Sequence, residues 1–584
     1  MIILGVHAGH DCGAAIVNNG KIIAVANEER ITRDKLSFGV PEKSIKEVLG
    51  CARMAPDDID KIALESVGGT LLSHGRPWFY KAFLTNGTGL LDFFFIKDRK
   101  FKYIYGLQSV PLNILSMTGF PRFLMTDLMA CLYLKKVFGC AKKISRVPHH
   151  QAHLASAYFT SGMDNVLSVV IEEYDGRNGM VIDLVQDGQV IPIANSPYPH
   201  SPGVFYSLVT RMLGFNQMLH AGKITGLAAY GQPHKVYHLV EKLMWNEDMK
   251  VQISPLTYKL VVECARTKNI PAYFSGFSRE DIAAAFQRRL EDVMVAIIKK
   301  ALEKTGAKNI VLSGGVTANV KMNQCIYNIN GVENLFIHPG MSDCGTALGA
   351  ALWESYKSKK FKPFRLKNVF FGYEITDDEV ELELKRKNLK YHKEENIQKK
   401  ISGLLAEKKI ITRVRGKMEY GPRALGNRSI LYHCSDPSIN KWLNQRLRRT
   451  EFMPFAPAVL AEYAEKCFVN FKGLEYAGEF MTITCDCTEW MKENCPAVVH
   501  IDGTARPQIV TPESNPDFYT ILSEYNKITG IPVLINTSYN IHDEPIVRSA
   551  ADALRVFKFT CLDYLAINDY LVSAKENNFI WGKI

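Results

Sequence analysis

What this chain lacks narrows it first. No run of eighteen apolar residues occurs, although residues 90 to 96 and 123 to 133 are locally very apolar, so a membrane-spanning helix is not expected. Its thirteen cysteines contain no CxxC pair, and the one close pair, Cys485 and Cys487, has the wrong spacing for a zinc knuckle. They read as reduced, mostly core thiols. The absence of low-complexity tracts and of a fixed-period repeat excludes a solenoid and argues against pervasive disorder. The opening MIILGVHAGHD has neither a basic leader nor a long apolar region. Residues 2 to 6 are therefore expected to form a first strand, with a cytoplasmic location as the default. No aromatic-interleaved basic tract suited to RNA is present, which counts against nucleic acid as a partner.

What is present is the composition of a globular protein: 584 residues, 47% hydrophobic and 22% charged, with a formal net charge of +11. One hydrophobic core does not span that length, so two domains, or two with a large insertion, are expected. The mild positive excess suits phosphorylated ligands as well as nucleic acid, and the choice rests on the sites.

Short apolar runs, IILGV, GAAIV and KIIAVA, are punctuated by small polar turns, and Asn19-Gly20 is a favoured type I′ dipeptide. His10 and Asp11 then fall in the turn between the first two strands. A second set of this kind spans residues 166 to 171 and 179 to 185, with Asp175 and Gly176 in the turn between them. Residues 70 to 140, rich in aromatic and apolar side chains, read as a mostly helical insertion. That insertion is either a subdomain packed on the core or an acceptor-binding or dimerisation surface, the latter implying a homodimer. Residues 280 to 306 have helical periodicity and lead into the strand NIVLS and Gly314-Gly315. The lysine-rich YKSKKFKPFRLK places a domain boundary near residues 356 to 366.

Several motifs carry chemistry. In PHHQAHLASA the proline starts a helix, and His149 and His153, four apart, share a face where two imidazoles can hold one divalent ion. Two ligands do not make a site, and Asp343 in GMSDCGTALGA is the candidate carboxylate to complete it. His10 is a candidate general base, with Asp11 beside it to orient a ligand. In SGGVTAN, Gly314 and Gly315 open a strand-to-helix turn whose amides can face phosphate, with Asn319 adding a hydrogen bond. AGKITGLA sets Lys223 between glycines but lacks the Walker spacing. Residues 416 to 431, GKMEYGPRALGNRSIL, concentrate Lys417, Arg423 and Arg428 among glycines and read as an anion-binding loop. Arg449, Arg506, Asn536 and Ser538 lie at further strand ends or turns and extend this set toward a triphosphate and a second phosphorylated acid.

Taken in order, the HD pair, HHQAHLASA, SGGVTANV, SDCGTALGAA, MEYGPRALGNRSIL, FMPFAPAVL, DGTARPQ and NTSYN with EPIV resemble the NodU/CmcH-type O-carbamoyltransferases over nearly the whole chain. The resemblance implies an α/β and α+β protein. Residues 1 to 357 would form an actin-like ATPase domain (ASKHA, TsaD-like) carrying the insertion, and residues 366 to 584 a YrdC-like domain. It also implies two reactions: the second domain makes carbamoyl-adenylate from carbamoyl phosphate and ATP, supplied with Mg2+, and the first transfers the carbamoyl group to a hydroxyl of a small-molecule natural product or sugar. By position, His149, His153 and Asp343 correspond to iron(II) ligands, and His10 to the catalytic histidine. Asp175, Gly176, Lys223, Gly314, Gly315 and Asn319 would attend the nucleotide or carbamoyl-adenylate in the first domain. Lys417, Arg423, Arg428, Arg449, Arg506, Asn536 and Ser538 would attend ATP and carbamoyl phosphate in the second.

The chain departs from the family pattern at Ala221 and Thr225, where glutamate and methionine are usual, at Tyr539 in place of phenylalanine, and in the more charged turn EEYDGRNG. A His-His-Asp set also suits zinc or manganese. The shared HxxxH and SGGV motifs keep a tRNA threonylcarbamoyl-adenosine-forming enzyme as an alternative, and the fold alone permits a non-catalytic nucleotide switch.

Overall fold

The computed structural model describes residues 1 to 65, 122 to 174, 177 to 267, 269 to 450 and 452 to 582, with side chains from residue 126 onward in the helix Arg122–Phe138. Most of the aromatic insertion and the Asp175-Gly176 turn therefore lie outside the described residues.

The first part of the chain builds one α/β plan twice. In the first sheet the strand order is Lys21–Asn27, Gly13–Asn18, Ile2–His7, Lys61–Glu65 and Ile144–Val147. The first three strands are antiparallel, and the last two run parallel to Ile2–His7. The second sheet repeats this order and these directions with Gln189–Pro197, Asn178–Gln186, Val166–Ile171, Asn309–Ser313 and Asn334–Ile337. The tight link between the second and third strands follows from Asn19 and Gly20, both at positive φ (49° and 83°), which matches the right-handed twist of a hairpin.

Helices His149–Ser161 and Thr346–Ser358 fill the space between the sheets. Small side chains permit this: Ala152, Ala155 and Ala157 of one helix share a core with Ala347, Ala350 and Ala351 of the other. At Gly349 an added Cβ would fall 1.8 Å from the Ala152 carbonyl oxygen, so no larger residue allows this approach. His149 and His153 of the first helix are thus carried into the buried interior, where a polar atom without a partner is costly. The long helix Arg279–Thr305 is capped by the Ser278 side chain, which accepts from the Asp281 amide, and ends at Gly306 in the left-handed region.

The second part is organised on an eight-stranded mixed sheet. Its order is His392–Lys393, Tyr570–Ser573, Tyr564–Ile567, Ile411–Val414, Arg428–His433, Val533–Ser538, Ala456–Leu460 and Gln508–Val510. Helices Ile397–Ala406 and Pro516–Thr529 cover it through Ile401, Leu405, Phe518 and Leu522, packed on Leu431, Ala458 and Leu534. Polar contacts tie the two parts together. Arg33 donates to the Pro545 and Ile546 carbonyls, Asn323 donates to the Thr482 carbonyl, and Arg548 pairs with Glu47. No described helix is long and apolar enough to cross a membrane.

Candidate active site

The repeated sheets set two equivalent turns face to face. The turn after Ile2–His7 carries His10 and Asp11, and the turn after Val166–Ile171 carries Glu172. Between them, the helix His149–Ser161 supplies His149 and His153, and the loop after Asn334–Ile337 supplies Asp343. One donor atom from each of His149, His153, Glu172 and Asp343 lies within 4.8 Å of the others. His153 Nε2 is 3.2 Å from His149 Nε2 and 3.1 Å from Glu172 Oε1, while Asp343 Oδ1 is 3.5 Å from both imidazoles. Two imidazoles and two carboxylates aimed at one point fit a divalent transition metal such as iron(II), zinc or manganese.

A second layer holds these donors. Glu65, fully buried at the end of its strand, accepts from His149 Nδ1 at 2.8 Å and from His7 Nδ1. That bond directs the His149 Nε2 lone pair into the cluster, the usual carboxylate-to-histidine arrangement behind a metal ligand. His7 Nε2 faces the His10 carbonyl oxygen at 2.7 Å, so both nitrogens of His7 donate and the ring is a cation. Burial opposes that charge, yet Glu65 raises His7 to about 9. Burial likewise opposes the Glu65 anion, but His7 and His149 bring it down to about 2. Against the same burial, Glu65 and Asp343 hold His149 well above its ordinary value, and His149, His153 and His7 hold Asp343 well below the carboxylate range.

His10 is partly exposed at the edge of this cluster. Its Nδ1 is 4.0 Å from Asp343 Oδ2, and its Nε2 has no hydrogen-bond partner among the described residues. Asp11 adopts positive φ (55°) and accepts from the Ser342 hydroxyl at 3.1 Å. Burial, seconded by Glu29, raises its carboxyl to about 6. Around Gly314 and Gly315 the chain braces the cluster: the Gly315 amide donates to Glu172 Oε1 at 2.5 Å, and the Ser313 hydroxyl donates to the His153 carbonyl at 3.0 Å. Asn319 caps the helix Val320–Tyr327 and exchanges hydrogen bonds with Gln287.

The second set of candidate residues gathers at one end of the eight-stranded sheet. Strand pairing puts Ser538 opposite Ser429, Asn536 opposite Ala456, and Ala458 opposite Gln508, so the loops bearing Arg423, Arg449 and Arg506 meet there. Arg449 donates to the Thr537 hydroxyl at 2.9 Å, the Ser538 carbonyl at 2.7 Å and the Asn540 side-chain oxygen at 2.9 Å. Asn536 binds the Ala424 carbonyl and Gln508, and Gln508 binds the Leu425 carbonyl, which fixes the Arg423 loop to the sheet. Lys223 arrives from the first part: it lies in the helix Ala221–Ala228, and its Nζ donates to Thr450 Oγ1 at 2.7 Å.

Not every predicted cation faces this space. Arg428 is fully buried, and its guanidinium donates to the carbonyls of Arg415, Asn427 and Gly416 at 2.9, 2.9 and 3.0 Å, so it braces the strand entry. Burial lowers it to about 10. Lys417 is exposed on the short strand Lys417–Glu419. The loop's own amides are also engaged, because Glu419 Oε1 accepts from Leu425, Asn427 and Arg428 at 2.9, 2.7 and 3.0 Å. The anion cradled by this backbone is an internal carboxylate.

A family model described as carbamoyltransferase N-terminus matches residues 2–352, and one described as carbamoyltransferase C-terminus matches residues 402–574. The chain belongs to the carbamoyltransferase family. It is 31% identical to nodulation protein NolNO of Sinorhizobium fredii, over 97% of this chain and 79% of that protein. Nodulation protein U of the same species is 27% identical, over 70% of this chain and 74% of its own length. A solved structure, the activator of the 2-hydroxyisocaproyl-CoA dehydratase from Clostridium difficile with bound ADPNP, superposes with a TM-score of 0.33 at 14% identity, covering 62% of this chain and 97% of that one. A superposition this loose carries no argument. The chain is thus a carbamoyl-transferring enzyme.

For this carbamoyltransferase, sequence reasoning missed Glu172, Glu65 and His7. Glu172 stood in the charged turn EEYDGRNG, whose repeat of the His10 turn is a usable signal. Glu65 and His7 end two adjacent strands, directly paired in register, and no local motif announces them.

Proposed function

We propose that this carbamoyltransferase works as two domains, residues 1 to 357 and 366 to 584, each carrying one of two consecutive reactions. The first is assigned an actin-like (ASKHA, TsaD-like) fold, supported by its duplicated sheet order. The second is assigned a YrdC-like fold on its motifs alone. At the cation-lined sheet end of the second domain, ATP with Mg2+ and carbamoyl phosphate form carbamoyl-adenylate. There Arg423, Arg449 and Arg506, with Ser538 and Asn536, bind and align two polyanions. In the first domain the carbamoyl group passes to a hydroxyl of a small-molecule natural product or sugar.

The observation that carries this reading is the convergence of His149, His153, Glu172 and Asp343 beside His10. A divalent ion held by those four side chains, iron(II) by the resemblance, would supply a Lewis acid against phosphate and carbonyl charge. The unpartnered Nε2 of His10 takes the proton of the acceptor hydroxyl. Asp343 faces the other nitrogen of His10 and steadies the imidazolium that results. All thirteen cysteines are free thiols, which supports a reducing, cytoplasmic setting.

The half-reactions are separable. His10→Ala is expected to release pyrophosphate from ATP and carbamoyl phosphate while failing to carbamoylate the acceptor, and Arg423→Ala to lose both. Loss of pyrophosphate release in a folded His10→Ala enzyme would refute the division of labour.

A further inference from the structure

Tyr420 follows the second part's anion-loop strand in sequence, yet its ring is buried in the first part. Its hydroxyl lies 2.9 Å from His338 Nε2, and His338 Nδ1 lies 3.1 Å from Thr160 Oγ1. The directions of these bonds follow from the last member. The Thr160 hydroxyl donates to the Ser156 carbonyl, so its oxygen accepts from His338 Nδ1–H, and His338 Nε2 must accept from the tyrosine. One relay therefore runs from Tyr420 through His338 and Thr160 into the helix that carries His149 and His153.

The same ring also shapes the loop that carries Asp343. An added Cβ on Gly340 would lie 2.3 Å from the Tyr420 oxygen, and one on Gly345 would lie 3.1 Å from it. Residues 340 to 345 are thus wound around this hydroxyl, with Asp343 in between. The next residue is clamped as well: the Gly421 carbonyl accepts from Arg30 at 2.7 Å, and a Cβ there would meet the Pro339 carbonyl at 2.8 Å. On its other side Tyr420 adjoins Glu419, whose carboxylate holds the amides of the Arg423 loop.

We infer that Tyr420 is a cross-domain positioning residue, which sets Asp343 against His149 and His153 so that the first domain's ligand cluster is complete only when the second domain's loop is seated. The inference rests on the reading of that cluster as a metal site. It also gives one segment, residues 419 to 428, a hold on both proposed reactions.

The test is zinc affinity of the full chain, measured by competition with a chelating dye, with thermal midpoints recorded in parallel. Tyr420→Leu is expected to bind zinc about 10–100-fold more weakly, the range for losing a residue behind a ligand. Tyr420→Phe, which keeps the ring and loses only the hydroxyl, should recover most of that affinity but remain several-fold below the parent. Gly340→Ala, made from the opposite side, should reproduce the Tyr420→Leu loss, and the double variant should add nothing to it. Should Tyr420→Leu not fold, Tyr420→Phe and Gly340→Ala carry the test. Folded variants that bind zinc as tightly as the parent, whatever their thermal midpoints, overturn the role of Tyr420. A parent protein that binds no zinc, or binds it equally after Asp343→Ala, overturns the metal reading instead.

Discussion

Glu65→Gln is the most exacting perturbation of the transfer site, because one buried carboxylate serves two histidines. His7 is raised from 6.5 to about 9 and Glu65 lowered from 4.5 to about 2. Each shift, seen from its own side of the pair, corresponds to about 3 kcal/mol at roughly 1.4 kcal/mol per unit. The two shifts share the His7–Glu65 pair and are not to be added, and that of Glu65 also contains its bond to His149. Glutamine keeps one acceptor but turns an amide N–H toward the second histidine and leaves the His7 cation without its counter-charge. Because the folded His7 value is raised, its contribution is complete below pH 6.5 and fades as pH climbs through about 9. Because the folded Glu65 value is lowered, its contribution is complete above pH 4.5 and fades as pH falls through about 2. The penalty of Glu65→Gln is therefore largest between pH 4.5 and 6.5, at about 3 kcal/mol, and smaller near pH 9.5. Urea unfolding of both proteins with a chelator present, at pH 5.5 and pH 9.5, measures it. A difference below about 1 kcal/mol at pH 5.5, or one that does not shrink at pH 9.5, would refute the reasoning.

Two further outcomes follow from buried groups elsewhere. Arg428→Met should lower the thermal midpoint, equivalent to about 3 kcal/mol, by stranding the carbonyls the guanidinium now satisfies, with KM for carbamoyl phosphate unchanged in the folded fraction. A raised KM at unchanged stability would instead place Arg428 against substrate. Asp183, opposite Ser168 in the second sheet, is raised to about 6 by burial alone, so it destabilises the fold increasingly as pH rises from about 4 to 6 and steadily above that. Asp183→Asn should stabilise the protein by roughly 1–3 kcal/mol at pH 8 and by almost nothing at pH 4 in urea titrations.

The sequence by itself determined what depends on short spans. Asn19-Gly20 specifies its hairpin, Ser278 and Gly306 bracket their helix, and the four-residue spacing of His149 and His153 puts both imidazoles on one helical face. The carbamoyltransferase motifs are of this local kind, and so the family was legible. Even a local reading had limits, since Lys223, set between two glycines without the Walker spacing, lies in a helix and meets Thr450 of the second part, a contact that nothing local announces. Only the tertiary structure decided which side chains meet. Glu65 reaches His7 and His149 because three chain segments distant in sequence pack together, and Glu172 joins the cluster because the second sheet repeats the first. It also decided where the cations of the glycine-rich loop sit. Arg423 and Arg428 look alike in sequence, but strand pairing buries the second among carbonyl oxygens and leaves the first on the loop that Asn536 and Gln508 fix to the sheet. The physical reason is that hydrogen bonds and steric preferences within a few residues are written locally, whereas burial and counter-charge depend on how the strands and helices pack, which brings together residues tens to hundreds of positions apart.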